Sequence, residues 1–435
     1  MIQNIKEPKE TDALTNSINV DSPMSVLSTE QHSELIALLS DLIRLPSENP
    51  PGREVLVEQY LIQYCEKNGL HVERIPVTSN RANLIITLCG ESEHNPIAFT
   101  GHMDVVPVWS DERFRWNTDP YEPLVKDGWL IGRGAADMKG GLACVLLAMS
   151  ELAHTSIRPS RTIHLLATCD EEDAMRGSRT LLHHPIMSEL SDLVVCEPTG
   201  MTLCRCSRGR TYGELIIRGK TAHGSRPGEG VNTIDIAADI IRSLSLLNSS
   251  WTLLPKRDRD WMSQQNCYSH DDDMSQEVCG RRELDNSCGF EVPSYWQPLA
   301  IHAGLEPGII PDVCRLRLDC RVSPMSSCNY EIERLNQILD EIETTHHVKA
   351  EFLVEDKREP WITASDHRLV LKIHSLGAFD ETVFSGSTDA NVLREAGLTP
   401  VIIGPGDLND VHHENERVLL AELERAFLLY KSLML

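Results

Sequence analysis

Long apolar runs are missing from this sequence. No stretch approaches the roughly 20 consecutive apolar residues with which a helix crosses a bilayer, so a membrane partner is not expected. The N-terminal segment MIQNIKEPKETDALTNSINV is polar and lacks the apolar centre of a secretory signal. We therefore expect a cytoplasmic protein in which residues 1–28 form a flexible tail.

Basic charge is also scarce. The chain carries 41 Lys and Arg against 65 Asp and Glu, which gives a net charge of −24 at pH 7. Nucleic acid phosphates need clustered basic side chains, so a nucleic acid partner is not expected. Acidity of this size serves mainly solubility and does not by itself indicate a substrate.

A disulfide framework is absent as well. The 13 cysteines are an odd number, they are scattered along the chain, and they show no zinc-finger spacing. Without a secretory signal we interpret them as reduced thiols in a cytosol. A structural metal site built on cysteine is not expected.

The alternation of elements predicts the fold. At 435 residues the chain is too long for one compact core and indicates two domains. Amphipathic helices alternate with short apolar strands, which predicts a largely parallel α/β sheet flanked by helices. Half-exposed strands and amphipathic helices in the order β-α-β-β-α-β then predict an inserted α+β domain at 204–357. The larger domain would comprise 29–203 and 358–435, and a long irregular loop would span 252–297.

Acids and histidines stand where the predicted strands end or a buried helix begins. The residues so placed are His102 and Asp104 in FTGHMDVVP, Asp137 in GRGAADMKGG, Glu171 and Glu172 in CDEED, Glu197 in VCEPTG, and His412 in IIGPGDLNDVHHENE. In open α/β sheets the functional crevice lies outside the carboxyl ends of the strands. Each residue alone has an ordinary explanation, such as a helix N-cap for Asp137 or a solvated turn for the glutamate pair. Their shared placement predicts a metal centre.

The residue types suit two-metal chemistry. Histidine and carboxylate ligands fit Zn²⁺, Co²⁺ or Mn²⁺. Two ions about 3.5–4 Å apart can share one carboxylate and activate a water molecule. Two three-ligand sites with one shared carboxylate need five residues, and the sequence supplies these and a spare acid that can serve as the base. Asp104 can accept a hydrogen bond from the far ring nitrogen of His102 and fix its tautomer.

These motifs carry a family resemblance. GHMDVVP, GRGAADMKGG, CDEED, EPT, GKTAHGSRPGEGVNTI and GSTDA, with the late His412, resemble the zinc metallohydrolase family of acetylornithine deacetylase, succinyl-diaminopimelate desuccinylase, aminoacylase-1 and glutamate carboxypeptidase. The resemblance covers about residues 31–435. It implies a zinc-exopeptidase-like, mostly parallel sheet flanked by helices, with an inserted α+β domain that forms a homodimer.

The resemblance also implies ligands and a base. The implied ligands are His102, Asp137 and Glu197 for one ion, and Asp137, Glu172 and His412 for the other. Asp137 would bridge the two ions, and Glu171 would be the general acid and base. His413 is an adjacent alternative to His412, but the spacing in HHENE matches the family pattern at His412.

Further residues are implied near the substrate. His223 in KTAHGSRP would reach the partner's active site in the homodimer and stabilise the oxyanion, unless it is a hydrogen-bonded strand-end histidine. Arg321 in DCRVSP, with Gly386 and Ser387 in SGSTDA, would hold the substrate carboxylate. Gly308 stands where many relatives have an asparagine, which weakens an assignment to succinyl-diaminopimelate in particular.

The predicted function is a metal-dependent amide hydrolase with two ions, Zn²⁺ or Co²⁺. It would remove an acyl group from a small N-acyl amino acid, with N-acetylornithine-type substrates first. A metallo-dipeptidase or carboxypeptidase is the alternative, because only the pocket distinguishes these activities. A non-catalytic relative that binds a small ligand would need a broken ligand set, and every expected position is filled.

Overall fold

The structure is a computed structural model that describes residues 27–250, 292–304 and 308–435. Its helices are α1 (Thr29–Ile43), α2 (Val55–Lys67), α3 (Ser110–Arg113), α4 (Lys139–Ala153), α5 (Arg176–Leu181), α6 (Thr233–Ser250), α7 (Cys328–His346), α8 (Arg368–Leu376), α9 (Asp389–Leu393) and α10 (Leu420–Met434). Its strands are β1 (His71–Pro76), β2 (Ala82–Leu88), β3 (Ser92–His102), β4 (Leu124–Lys126), β5 (Trp129–Ile131), β6 (Arg161–Thr168), β7 (Asp192–Val195), β8 (Leu203–Ser207), β9 (Gly209–Arg218), β10 (Ala222–His223), β11 (Tyr295–Ala303), β12 (Ile309–Ile310), β13 (Val313–Val322), β14 (Lys349–Arg358), β15 (Trp361–Ile362), β16 (Glu381–Phe384), β17 (Thr399–Ile402) and β18 (Arg417–Leu419). Within these ranges, no helix combines the length and apolar character needed to span a membrane.

The larger sheet has the order β1-β2-β6-β3-β7-β17-β8-β15, with β16 also paired to β8. The central strands β6, β3, β7 and β17 run parallel, and the outer pairings of β1, β2 and β15 are antiparallel. This mixed sheet, flanked by helices, confirms the predicted fold class.

Helices cover both faces of this sheet. In β3, Ile97 and Phe99 pack in the core beneath α1, α4 and α10, whereas Ala98 packs on the opposite face with residues of α5 and α9. Successive strand residues point to opposite faces, so a strand covered on both sides needs a nearly continuous apolar run. That requirement explains the sequence PIAFTG.

Helix α4 is held unusually close to the sheet. A side chain on Gly141 would collide with the carbonyl oxygen of Cys196, just after β7. Glycine removes this obstacle and permits the close approach. The first turn of α4, and Asp137 just before it, therefore lie beside the carboxyl end of β7.

A second sheet of four strands, called the small sheet below, has the order β11-β13-β9-β14, with all neighbours antiparallel. Along the chain its main elements are β9, α6, β11, β13, α7 and β14, which is the order β-α-β-β-α-β. Its own core includes Leu215, Ile240, Trp296, Leu316 and Leu335. This apolar core is distinct from the two cores of the larger sheet.

The structure corrects one predicted boundary. Strand β8 pairs with β16 and β17 in the larger sheet, and all of its residues are buried. The small sheet therefore begins at Gly209 and not near residue 204. Only Arg208 separates β8 from β9, so the chain passes from one sheet to the next within a single continuous run.

Two predicted irregular segments lie mostly outside the described residues. For the loop at 252–297, residues 251–291 are not described, and its last three residues belong to β11, so that end of the prediction is wrong. Trp296 anchors this strand because it is buried and packs edge-on against Phe352, with 5.4 Å between ring centroids. For the tail, residues 1–26 are not described, while Leu27 is buried and Ser28 caps α1.

Two connections join the sheets side by side. One runs through Arg208, and the other through Glu359 and Pro360 between β14 and β15. They are neighbours because β9 pairs with β14, and β8 pairs with β15. Near these connections, Asp356 of β14 accepts a 2.6 Å hydrogen bond from Arg179 of α5.

Candidate metal centre

The predicted ligands meet at the carboxyl edge of the four parallel strands. His102 is the last residue of β3, Glu197 follows β7, and the loop carrying His412 follows β17. The turn with Glu171 and Glu172 follows β6. Adjacent parallel strands present their carboxyl ends together, so residues far apart in sequence converge there.

Two groups of side chains share Asp137. The Nε2 atom of His102 lies 3.0 Å from Oδ1 of Asp137 and 3.7 Å from Oε1 of Glu197. The Nε2 atom of His412 lies 3.2 Å from Oδ2 of Asp137 and 3.2 Å from Oε2 of Glu172. The two carboxylate oxygens of Asp137 therefore face different histidines, which is the arrangement that a bridging ligand needs.

His412, rather than His413, faces this group. The backbone carbonyl of His413 accepts a hydrogen bond from Arg133, whereas the His412 ring contacts both Asp137 and Glu172. His412 adopts a left-handed backbone conformation, with φ of 60°. Such a conformation is uncommon for a residue other than glycine and often marks a functional position.

Negative charge dominates the centre. Burial, with the neighbouring acids, raises the pKa of Glu197 well above its usual range. Burial would lower the pKa of His412, but hydrogen bonds with Asp137 and Glu172 outweigh it and raise that pKa to about 11. In the described part of the chain, no Lys or Arg forms an ion pair with Asp137, Glu172 or Glu197.

Divalent cations fit this donor set. Buried acids need counter-charge, and in the part of the chain that the structure describes the ion-pair partners of Asp137, Glu172 and Glu197 are His102 and His412. Imidazole nitrogens and carboxylate oxygens without a thiolate suit Zn²⁺ or Co²⁺. Two overlapping groups within this centre, His102 with Glu171 and Glu197, and His102 with Asp137 and Glu172, have their potential ligand atoms within 4.8 Å of one another.

Glu171 differs from its neighbour Glu172. Among the described residues its carboxyl group forms no hydrogen bond or ion pair, although it lies beside His102 and Glu197 and is only 8 % exposed. Burial, reinforced by Glu197, raises the pKa of Glu171 well above its usual range. A buried carboxyl group without a fixed partner is able to receive and release a proton.

The prediction for Asp104 needs correction. The Nδ1 atom of His102 lies 2.9 Å from the backbone oxygen of Asp104, whereas the carboxylate is 3.6 Å away, so the carbonyl and not the side chain fixes the ring. The carboxylate turns instead toward the glutamate turn, because it accepts hydrogen bonds from the backbone N–H groups of Glu171 at 3.3 Å and Glu172 at 3.1 Å.

Glu416 was missed as a residue that shapes the centre. Its carboxylate accepts hydrogen bonds from the backbone N–H groups of Ala136 at 3.1 Å and Asp137 at 3.0 Å. Arg133 holds it in turn at 2.8 Å. A sequence signal for this role exists, since Glu416 is the last residue of the HHENE motif that begins at His412.

The remaining predicted residues stand apart. His223 is exposed at the end of β10, with Nδ1 2.8 Å from Oγ of Ser225. Arg321 donates to Asp319 at 3.0 Å, the Gly386 carbonyl accepts from Ser207, and Ser387 Oγ lies 3.5 Å from Arg358. In the described ranges, none of these predicted residues hydrogen-bonds to a predicted metal ligand.

Histidines and carboxylates gathered at the carboxyl edge of such a sheet, with Asp137 between two groups, are residues that could hold the two metal ions of a hydrolase. Peptidase family M20/M25/M40 matches residues 98–435, and the chain belongs to this family. It is accordingly a metal-dependent hydrolase of amide or peptide bonds, as the sequence predicted.

Individual relatives support this placement. The chain is 26% identical over 405 residues to a probable succinyl-diaminopimelate desuccinylase of Staphylococcus epidermidis, covering 90% of this chain and 94% of the relative. It is 29% identical over 433 residues to the N-formyl-4-amino-5-aminomethyl-2-methylpyrimidine deformylase of Halalkalibacterium halodurans, covering 90% and 91%. The fold is similar to that of an M20 family metallo-carboxypeptidase of Sulfolobus solfataricus, with a TM-score of 0.70, 17% identity, and 92% and 98% coverage.

Proposed function

We propose that this protein removes the acyl group from small N-acyl amino acids, with N-acetylornithine-type compounds as the first substrates to test. The position of Asp137 carries the proposal, because its two oxygens face separate histidine and glutamate groups, while the Glu171 carboxyl group beside them has no ion-pair partner among the described residues. The desuccinylase and deformylase relatives both bear the names of acyl-removing enzymes, which supports deacylation over peptide cleavage.

The chemistry follows from the side chains. Bound divalent ions supply Lewis-acid polarisation of the amide carbonyl and lower the pKa of a water molecule. Glu171 accepts the proton of the attacking water and then delivers it to the leaving amine nitrogen. Its carboxyl group suits both steps because it is buried beside His102 and Glu197 and has no fixed hydrogen-bond partner among the described residues.

The small sheet is proposed to bind substrate and to dimerise. Arg321 and Arg210 share one carboxylate, that of Asp319, at 3.0 and 2.6 Å. Two guanidinium groups against one acid leave positive charge that a substrate carboxylate can use. Gly386 and Ser387 are proposed to bind the same substrate carboxylate, as the family resemblance implies. Exposed His223 is proposed to reach the partner's metal centre in a homodimer and stabilise the oxyanion.

The test is release of free amine from a panel of N-acetyl, N-succinyl and N-formyl amino acids and dipeptides, with protein loaded with Zn²⁺ or Co²⁺. We expect metal-dependent turnover of one N-acyl class, lost in Glu171→Gln and unchanged in the exposed control Glu189→Gln. Cleavage of dipeptides alone would assign the peptidase function. No turnover by folded, metal-replete protein would contradict the proposal.

A further inference from the structure

A buried polar network lies behind the glutamate turn, and Asn49 is at its centre. Asn49 belongs to the segment SENPPGRE and is 2 % exposed. Its Nδ2 atom donates one hydrogen bond to Oδ2 of Asp104 at 2.8 Å and another to Oδ1 of Asp170 at 3.1 Å. Both acids are completely buried. Asn49 is therefore the neutral link between two buried carboxylates.

The chemistry of the partners fixes the direction of this amide. An ionised carboxylate only accepts hydrogen bonds, so the group of Asn49 that faces both acids must be the NH₂ group. An aspartate at this position would have the same shape, but it would supply no donor and would add a third negative charge.

Asp104 connects Asn49 to the glutamate turn through hydrogen bonds. Its carboxylate accepts three hydrogen bonds, one from Asn49 and one each from the backbone N–H groups of Glu171 and Glu172. The N–H bonds fix the backbone from which both glutamate side chains project. One of these side chains contacts His412, and the other is the proposed base.

The network is anchored at both ends. The backbone N–H of Asn49 donates to the carbonyl of Val105 at 2.9 Å, and Ser47 Oγ donates to the carbonyl of Met103 at 2.6 Å. At the other end, Arg81 pairs with Asp170 at 2.7 Å and also with Glu54. Asn49 itself makes two side-chain hydrogen bonds and one backbone hydrogen bond while almost fully buried, so it has little freedom to move.

We infer that Asn49 is a positioning residue for the reaction, which acts through Asp104 to hold the Glu171–Glu172 turn in the geometry that proton transfer needs. The inference rests on the proposed function, because it assigns the proton transfer to Glu171. Asn49 does not touch the reacting atoms, so its removal should slow turnover more than it weakens binding.

The experiment compares Asn49→Ala, Asn49→Asp and Asp104→Asn in the metal-loaded full chain. For both Asn49 variants we expect kcat to fall by about 10–100-fold, which is the range typical when a residue that orients metal ligands by hydrogen bonds is lost. KM should stay within about twofold of the parent value. If Asn49 acts through Asp104, the effects of Asn49→Ala and Asp104→Asn on kcat will not add in the double variant.

A matched control separates positioning from stability. Asn248 also makes two amide hydrogen bonds, to the backbone of Trp296, but it lies in helix α6, away from the glutamate turn. Asn248→Ala should lower the melting temperature and leave kcat unchanged. Hydrogen exchange by mass spectrometry should show faster exchange of the Glu171 and Glu172 amides in Asn49→Ala and not in Asn248→Ala.

The outcomes are distinct. Additive effects on kcat, an unchanged kcat in Asn49→Ala, or unchanged exchange at the glutamate amides would each overturn the inference. A parent protein that is folded, holds metal and turns over no amide would instead contradict the proposed function. In that case the exchange measurement still decides whether Asn49 holds the turn.

Discussion

At the scale of single residues, two adjacent glutamates have different surroundings. Glu172 pairs with His412 at 3.2 Å, whereas the Glu171 carboxyl group forms no such pair in the described part of the chain. Burial raises the pKa of both carboxyl groups, and the hydrogen bond from His412 opposes this rise only at Glu172. Neutral isosteres at the two positions should therefore have different consequences.

We expect Glu171→Gln to reduce kcat by about 10²–10⁴-fold with two metal ions still bound per chain, because only the proton acceptor is lost. Glu172→Gln should instead reduce the bound metal, because a ligand is lost. Elemental analysis and kinetics on the same preparations measure both effects. Loss of metal from Glu171→Gln with retention in Glu172→Gln would reverse the assignment.

His164 provides a test of pH-dependent stability away from the centre. Burial lowers its pKa to about 4, and its Nδ1 atom lies 3.0 Å from Oγ1 of Thr87. The unfolded chain binds a proton near pH 6.5 and the folded chain does not, so this residue makes stability fall as the pH drops from 6.5 to 4.

Replacement with glutamine removes the titration. Between pH 6.5 and 4, the free energy of unfolding of His164→Gln should fall by about 3 kcal/mol less than that of the parent. Urea denaturation at a series of pH values measures the difference. Parallel pH profiles for the two proteins would show that His164 does not titrate in this way.

At the scale of elements, the sequence predicted those strands that have a clear local pattern of apolar residues. Apolar runs that end in acids or histidine predicted the central parallel strands, and the convergence of strand ends predicted the approach of His102 to Glu197. The pattern could not show that β8 pairs within the larger sheet, because sheet membership depends on distant partners. Asn49 was missed for the same reason, since its contacts with Asp104 and Asp170 join separate segments.

The start of β11 also depended on a distant contact. An irregular stretch of sequence precedes residues 295–297. These residues belong to β11, where Trp296 packs against Phe352 of β14. Alternation was concealed here because Pro298 coincides with a shift in the register of β11 against β13. Tertiary packing therefore decided this boundary over local sequence.

Trp296→Ala should lower the free energy of unfolding by about 3–5 kcal/mol, because it removes a fully buried aromatic side chain from the apolar core of the small sheet. The matched control is Trp109→Ala, since Trp109 is 64% exposed and its loss should change stability by less than about 0.5 kcal/mol. Chemical denaturation measures both variants. Equal effects would mean that Trp296 contributes little to the core.

At the scale of the whole molecule, the proposed homodimer predicts complementation between inactive subunits. Glu171→Gln and His223→Ala should each be inactive or nearly so alone. If His223 acts on the partner's centre, a mixed dimer has one site with both residues intact, and random exchange of subunits should restore about one quarter of the sites.

Subunits would be mixed in equal amounts, exchanged under mild denaturant and assayed for amide hydrolysis. The controls are the two variants kept separate, each taken through the same exchange and assay. If activity does not return while mixed dimers form, His223 does not act on the partner's centre. A monomeric parent protein would contradict the proposed assembly directly.

The paired connections between the two sheets have a consequence for the exchange of segments between relatives. The segment 209–358 enters and leaves through adjacent strands, and every proposed metal ligand and the proposed base lie outside it, while His223 and Arg321 lie inside. The chain thus carries the proposed metal ligands and base in one part, and the proposed oxyanion histidine and one proposed substrate arginine in the other. Replacing the inner segment with that of a relative should therefore exchange His223 and Arg321 as one unit, while the proposed metal ligands, the base, Gly386 and Ser387 stay in place.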